Sequence, residues 1–471
     1  MTTELRAGES PGQVSASRVL GLVLVAIVGC EFMLQLDATI VAVALPGLQS
    51  DLGLSPGALS WVINGFVLPF GGVLLLGGRL GDLFGHRTVF LAGTLLLAAA
   101  SLLAGLAPNF GWLIAGRALQ GIAAALAGPA GLALLSTTFT GERQQRAFAV
   151  YSTVTGLAAA AGMILGGVLT WAADWRWTLL VNAPIGLLIA LLGVRTITPG
   201  EKPAGRASLD LPGALLSIVG MTAVVYGFVR VADHGWRNTV ALSSLIAGVI
   251  VLALFVLLEA RTAAPMLPLR VFSHRARAGA FLNLALLAFV LTGFLFFLAQ
   301  FLQRVLHLDP LVTGLAFLPF GLALLVTARS APKLLTKVEP KVLALIGLAL
   351  ITAATLWLSR VNANSEYLTA VLGPIIILGF GAGAAIVPFN IIILSETPAE
   401  DAGITSGVLQ ASLSVGGALG LAVLLTLFAG EGSHVASGVS HVFTGAAVTA
   451  GAAILVSLAA WFIPSQTLVA R

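Results

Sequence analysis

Residues 18–46 read RVLGLVLVAIVGCEFMLQLDATIVAVALP. After Arg18 the run carries only two charged side chains, Glu31 and Asp37, among strongly apolar neighbours. A helix rises about 1.5 Å per residue and needs about 20 apolar residues to cross a bilayer. This stretch is long enough to do so and too long for the apolar core of a secretion signal. The polar stretch before it, Met1–Ser17, carries no cleavage pattern, so the run is expected to stay as a helix.

The rest of the 471-residue chain repeats the pattern. Lys and Arg number 24 and Asp and Glu 19, so 9% of residues are charged, against about 25% in a soluble domain. Hydrophobic residues make up 58%, with 54 glycines besides. Soluble domains cannot hide that much apolar surface behind a hydrated exterior. The apolar segments are continuous, not alternating, which argues against a transmembrane β-barrel. Thirteen further runs of spanning length follow, at about 56–78, 88–107, 111–136, 147–170, 177–194, 211–230, 239–258, 278–303, 311–328, 342–359, 368–393, 403–429 and 442–463. An all-α membrane protein with fourteen spans is expected. The single cysteine, Cys30, excludes an intrachain disulfide.

Loop charge sets the expected orientation, because Lys and Arg gather on the cytoplasmic side. With a cytoplasmic N-terminus, eighteen basic residues fall on inner segments and five on outer loops (Arg176, Arg230, Arg237, Arg304 and Arg360). One helix more or fewer would invert every later loop and erase that asymmetry. Both termini are therefore expected in the cytoplasm, and the net charge of +5 belongs to inner loops and not to a nucleic-acid surface. Proline- and arginine-containing stretches at 195–210 and 260–277 flank the seventh and eighth spans. The expected organisation is a tail at 1–17, a six-helix bundle at 18–194, linkers with two inserted helices at 195–277, a second six-helix bundle at 278–464 and a tail at 465–471.

Three ionisable residues lie within spans: Glu31 and Asp37 in the first and Arg117 in the fourth. Such a group costs at least roughly 2.5–3.5 kcal/mol at the bilayer centre, so function is the first hypothesis for each. With Pro46 as the outer end of helix 1, Asp37 lies roughly 13 Å in and Glu31 roughly 22 Å. Arg117 lies roughly 9 Å inside helix 4. Asp37 and Arg117 thus share a depth and can pair if their helices are neighbours; the bland alternative is a structural link between helices. Glu31 sits about 120° around the helix from Asp37 and has no cationic partner in sequence. A carboxyl removed from water loses the hydration of its charged form, so it can take up and release a proton. Glu31 is a candidate site for a proton or a cationic substrate, or else an acid kept protonated and inert.

Gly77-Gly78-Arg79-Leu80-Gly81-Asp82-Leu83-Phe84-Gly85-His86-Arg87 closes helix 2 and opens helix 3. Its glycines allow a tight turn, with Asp82 beside Arg79 and Arg87. The stretch reads either as a charged latch between conformations or as a simple charged turn. It resembles the helix 2–3 loop signature of the major facilitator superfamily at Gly78, Leu80, Asp82, Gly85 and Arg87. Leu36–Pro46 resembles the helix 1 signature of that superfamily's fourteen-helix drug:proton antiporter branch, which holds bacterial multidrug and antibiotic efflux transporters. Leu113–Gly121 resembles the helix 4 signature, with Arg117, Gln120 and Gly121 matching. Trp175–Gly186 and Asp401–Gly420 resemble the start of helix 6 and helix 13 of the same branch. Helix 5 keeps Gly162, Gly166 and Gly167 of the antiporter signature, small residues that permit close helix contact, but Met163 stands where the signature has proline.

This likeness, running from about 18 to 464, implies the major facilitator fold: two six-helix bundles around a central cavity, with two inserted helices and alternating access to a site near the midplane. It implies a proton-coupled secondary transporter that exports hydrophobic or amphiphilic drugs, cationic ones included, across a bacterial cytoplasmic membrane. Asp37 and Arg117 take the positions associated with proton coupling, Glu31 adds an acid beside them, and Gly78, Asp82, Gly85 and Arg87 form the latch. Six amides within spans (Asn64, Gln120, Asn182, Asn283, Gln300 and Asn390) are cavity candidates, although singly such groups more often link helices. Phe294, Phe296, Phe297 and Phe301 could wall the cavity. No metal-ligand spacing or nucleotide signature occurs, so no cofactor, ATP or nucleic acid is expected, the proton gradient supplies the energy, and the chain is not an enzyme. A monomer is expected. A metabolite uniporter or importer, or a lipid-handling transporter, on the same fold is the alternative.

Overall fold

The computed structural model describes residues 11–198, 210–262, 265, 267, 269–395, 402–429 and 434–462. The first ten residues, Lys202 and Arg206 of the first linker, and the tail at 465–471 lie outside the described residues. What is described consists of helices and their connections: α1 (Pro11–Leu52), α2 (Pro56–Phe84), α3 (His86–Gly105), α4 (Phe110–Thr138), α5 (Gly141–Ala172), α6 (Arg176–Leu180), α7 (Asn182–Thr196), α8 (Leu211–His234), α9 (Thr239–Glu259), α10 (Arg275–Arg304), α11 (Pro310–Ala316), α12 (Leu318–Leu334), α13 (Pro340–Leu358), α14 (Leu372–Ser395), α15 (Ala402–Ala429) and α16 (Val435–Phe462). The pairs α6–α7 and α11–α12 each make one span. Among the described residues, 13 helical stretches are long and apolar enough to cross a membrane. The remaining expected span, 147–170, falls within the 32-residue α5.

The helix starts follow from local chemistry. At the end of the molecule away from the basic loops, Asn109 accepts from the backbone N–H of Trp112, Asn238 from Ala241 and Asp309 from Val312, each satisfying an otherwise unpaired donor of the first turn. Ser55 caps α2 in the same way, just before Pro56, whose missing N–H costs nothing at that position.

Two boundaries differ from the sequence reading. Helix 1 does not end at Pro46; α1 runs through it to Leu52, so Asp37 and Glu31 lie about six residues farther from its end than expected. Residues 77–84 are not a loop either, because α2 continues to Phe84 and the turn narrows to Gly85 alone. Gly85 holds φ +85°, a backbone conformation that favours glycine.

The helices meet at small residues. Gly162 and Gly166 on α5 face Thr39 and the Ile40 carbonyl on α1, where any Cβ would collide. Gly167 faces α11, where an added Cβ would lie 2.5 Å from the Pro310 carbonyl oxygen. That contact joins the two halves of the chain at the end opposite the basic loops. It is reinforced there by Gln303 donating to the Val43 carbonyl (2.8 Å) and by Arg304 donating to Gln49 (2.5 Å). The molecule is therefore closed at this far end. The inserted helices α8 and α9 pack on each other, and α8 also lies against α2 and α15. Only 11% of the spanning part of α9 is buried, so α9 stands at the periphery with its apolar side chains outward.

Candidate functional site

Asp37, Arg117, Gln120 and Asn182 converge where α1, α4 and α7 meet. The Asp37 carboxylate accepts from Arg117 Nη1 (2.7 Å, to Oδ2), Gln120 Nε2 (3.1 Å, to Oδ1) and Asn182 Nδ2 (2.7 Å, to Oδ1). Arg117 also donates to Gln120 Oε1 (3.0 Å) and, through Nε, to the Val62 carbonyl (2.9 Å). Its guanidinium lies 4.6 Å from the Phe66 ring centre, and Gln120 reaches on to Ser101 (2.8 Å). Asp37 is 0% exposed and Arg117 2%, so water reaches neither. A buried ion pair survives only when further hydrogen bonds satisfy both partners, as here.

The sequence placed Asp37 and Arg117 at one depth, and the structure brings them into contact. Gln120 and Asn182 join this network and do not line an open cavity, since each is fully buried and donates to Asp37. Asn283 is likewise a helix link, donating to the Gly279 carbonyl and to Ser457 on α16. Asn64 has neither amide atom partnered, and Gln300 Oε1 and Asn390 Oδ1 also lack partners. Asn182 Oδ1 and Asn283 Oδ1 are unpartnered as well, so all five amides keep hydrogen-bonding capacity inside the protein. Phe294, Phe296, Phe297 and Phe301 are fully buried core, with Phe294 edge-on to Phe317 and tilted against Phe320, and do not wall a cavity.

Glu31 lies one and a half turns earlier on α1, 7% exposed. It accepts from Tyr151 Oη (2.7 Å), Gln35 Nε2 (2.9 Å) and Thr155 Oγ1 (3.3 Å). All three donors are neutral. Tyr151 and Thr155 come from α5, which Gly162 and Gly166 hold against α1. The sequence reading did not name them, although one of only three tyrosines in the chain was a usable signal.

The latch residues are dispersed. Asp82 has a 56% exposed side chain and lies 3.8 Å from His86, and it makes no ion pair with Arg79 or Arg87. Arg87 instead donates to the Ile197 (2.6 Å) and Val194 (3.1 Å) carbonyls, a cation at the C-terminal end of α7 where the helix dipole favours it. Gly78 has open space around it. A second unforeseen cluster sits at the far end, where Trp175 and Arg176 both donate to Asp51 (3.0 Å each) and tie the end of α1 to α6. Ending helix 1 at Pro46 hid that role for Asp51.

The family model described as Major Facilitator Superfamily matches residues 27–421. The chain belongs to the Major Facilitator Superfamily. This facilitator is 41% identical over 463 residues to Puromycin resistance protein pur8 of Streptomyces alboniger, covering 94% of this chain and 91% of that one. It is 37% identical to Cephamycin export protein CmcT of Amycolatopsis lactamdurans, over 95% and 93% of the two chains. Among solved structures, it matches a peptide transporter POT in complex with sulfate at TM-score 0.70 and 16% identity, covering 93% of both chains. A bacterial homolog of the human lysosomal transporter Spinster, inward-facing and occupied, matches at TM-score 0.68 and 16% identity, covering 96% and 97%. These structures share the fold of this facilitator, a multi-pass integral membrane protein.

The Asp37 network has a simple switching chemistry. Every neighbour of the carboxylate is a donor, and an ionised carboxylate only accepts. A proton on Asp37 converts one acceptor oxygen to a donor and removes the charge that Arg117 neutralises. Such a proton would force the donors around Asp37 to rearrange.

Proposed function

We propose that this facilitator exports antibiotic-like amphiphiles across a bacterial cytoplasmic membrane in exchange for protons. The observation that carries the reading is the buried Asp37 carboxylate, bound by three donors from two other helices. The names of its relatives, puromycin resistance and cephamycin export, favour antibiotic cargo over a metabolite. Basic loops orient both termini towards the cytoplasm, so the far-end closure leaves the molecule facing inward. In that state the deprotonated Asp37 locks α1 to α4 and α7 while cargo enters from the cytoplasm. A proton arriving from outside in the opposite state releases the lock. Glu31, ringed by neutral donors, supplies a second acid for a proton or for the cation of the cargo. The chain works as a monomer of two six-helix bundles joined by two inserted helices.

Vesicles containing the purified chain, preset with a pH gradient of either sign, test this with puromycin and cephamycin as cargo. Transport should follow the sign of the gradient and Asp37→Asn should abolish that dependence. Transport by the unsubstituted chain that ignores the gradient would contradict proton exchange.

A further inference from the structure

The inserted helices fit each other in register. Gly213, Gly220 and Gly227 recur at seven-residue steps along α8. A Cβ on each would lie 2.6 Å from Glu259, 2.8 Å from Leu252 and 2.6 Å from Leu245, which recur at the same step along α9. Seven residues are close to two helical turns, so these contacts form one antiparallel seam. Gly248 answers from α9, where a Cβ would lie 2.6 Å from Val224. Small residues bring two helices into close contact along their length, so α8 and α9 form one body.

That body is keyed to α2. A Cβ on Gly57 would lie 2.5 Å from the Asp233 carboxylate, and one on Gly72 would lie 2.2 Å from the Ile218 side chain. The two contacts are about four turns apart on both helices, from 57 to 72 on α2 and from 218 to 233 on α8, so they too keep a single antiparallel register. Ile218 packs there against an apolar cluster of Val73 and Leu74 of α2 and Ala125 of α4. α15 turns its glycines the other way: Gly416 and Gly420 face Ala285 and Phe289 of α10.

Between these two groups, in the half of the molecule nearer the basic loops, lies a cavity of about 380 Å³. Ser217 and Met221 of α8 line one side, and Leu282 and Ala285 of α10 with Ala411 and Val415 of α15 line the other. The contact of α2 with α15, where a Cβ on Gly71 would lie 2.7 Å from Ser414, borders it. Protein interiors are packed to near crystal density, so a gap of this size between two interlocked bodies gives one room to move against the other.

We propose that α8 and α9 ride with the N-terminal bundle, and that the cavity is the clearance into which α10 and α15 roll about the Gly71–Ser414 contact when the basic end closes. The proposal rests on the alternating states of the proposed function. The inserted pair is then a fixed wall of the N-terminal half, and the C-terminal half closes against it.

Spin labels on Phe84→Cys, Leu211→Cys and Leu334→Cys, exposed positions at the basic ends of α2, α8 and α12, test this by pulsed dipolar distance measurements on the full chain in lipid nanodiscs. The Phe84–Leu334 pair spans the two halves and reports the rocking itself. From alkaline to acidic pH, or on adding Asp37→Asn, that distance should shift, Leu211–Leu334 should shift with it, and Phe84–Leu211 should stay fixed. A shift in Phe84–Leu211 as large as that in Phe84–Leu334 would overturn the proposal and leave the rocking standing. No shift in Phe84–Leu334 would overturn both. In Gly72→Cys with Ile218→Cys the two Cβ atoms stand 3.4 Å apart, close to disulfide geometry, and oxidation should leave puromycin flux down its own gradient unchanged. Ala411→Phe fills the cavity and should cut that flux by about tenfold or more, because it overpacks the closed form, while puromycin binding in detergent is retained. Flux lost on oxidation of the cysteine pair and regained on reduction would overturn the proposal. So would undiminished flux through a folded Ala411→Phe.

Discussion

Arg117 holds three partners at once: Asp37, Gln120 and the Val62 carbonyl. That is the work of a planar guanidinium with donors at fixed angles, and a lysine ammonium cannot reproduce it. Arg117→Lys should therefore lose gradient-driven transport although the charge is kept, as read by vesicle flux. Arg117→Gln leaves the Asp37 charge buried without its cation and should destabilise the fold by about 3–5 kcal/mol. Adding Asp37→Asn removes that charge and should recover most of the loss, measured by thermal unfolding of the three variants in detergent. The sequence revealed the acids and the arginine because a charge in an apolar run is conspicuous. It did not reveal that Gln120 and Asn182 are committed to Asp37, because an amide in a helix reads the same whether it faces a neighbour or a cavity. The neutral ring around Glu31 was hidden for a different reason: Tyr151 and Thr155 lie more than a hundred positions away and reach Glu31 only because α5 lies against α1.

At the scale of the helix, glycine placement decides which pairs approach closely. Gly166 lies against the Ile40 carbonyl, whereas a Cβ on Gly78 meets nothing within 4 Å. Gly166→Val should cost about 1–3 kcal/mol through overpacking and part Glu31 from Tyr151. Gly78→Ala should raise the melting temperature slightly, because alanine is favoured over glycine by about 0.5–1 kcal/mol in a helix interior, so any loss of transport in that variant reports on motion at the basic end and not on folding. Existence and order of the spans were legible because twenty apolar residues admit few alternatives. Helix ends were less so. Pro46 looked like a stop, yet α1 continues past it, and its last turns carry the Gln49 contact to Arg304 and the Asp51 contact to Trp175 and Arg176. The glycine-rich signature after helix 2 looked like a loop, and all but Gly85 of its glycines proved helical.

For the whole molecule, the far-end contacts define one member of an alternating pair of states. Gln49→Cys with Arg304→Cys places two thiols across that closure, to be bridged by a reducible bifunctional thiol reagent spanning the space of the two long side chains, and the only native cysteine, Cys30, is buried and out of reach. Cross-linking should hold the far end shut and stop transport, and reduction should restore it; undiminished transport by the cross-linked pair would mean that this closure does not open in the cycle. Asp82 and Arg87 are apart in this state, Asp82 beside His86 and Arg87 on the carbonyls that end α7. Conformational state was the least legible feature, since one sequence encodes both members of the pair. Cargo-driven proton movement is the most direct measurement of the central claim. With a pH-sensitive dye sealed inside vesicles and no imposed gradient, a puromycin gradient across the membrane should drive opposite proton flow through the unsubstituted chain, and Asp37→Asn should carry none. Proton flow through Asp37→Asn equal to that of the unsubstituted chain would contradict the account.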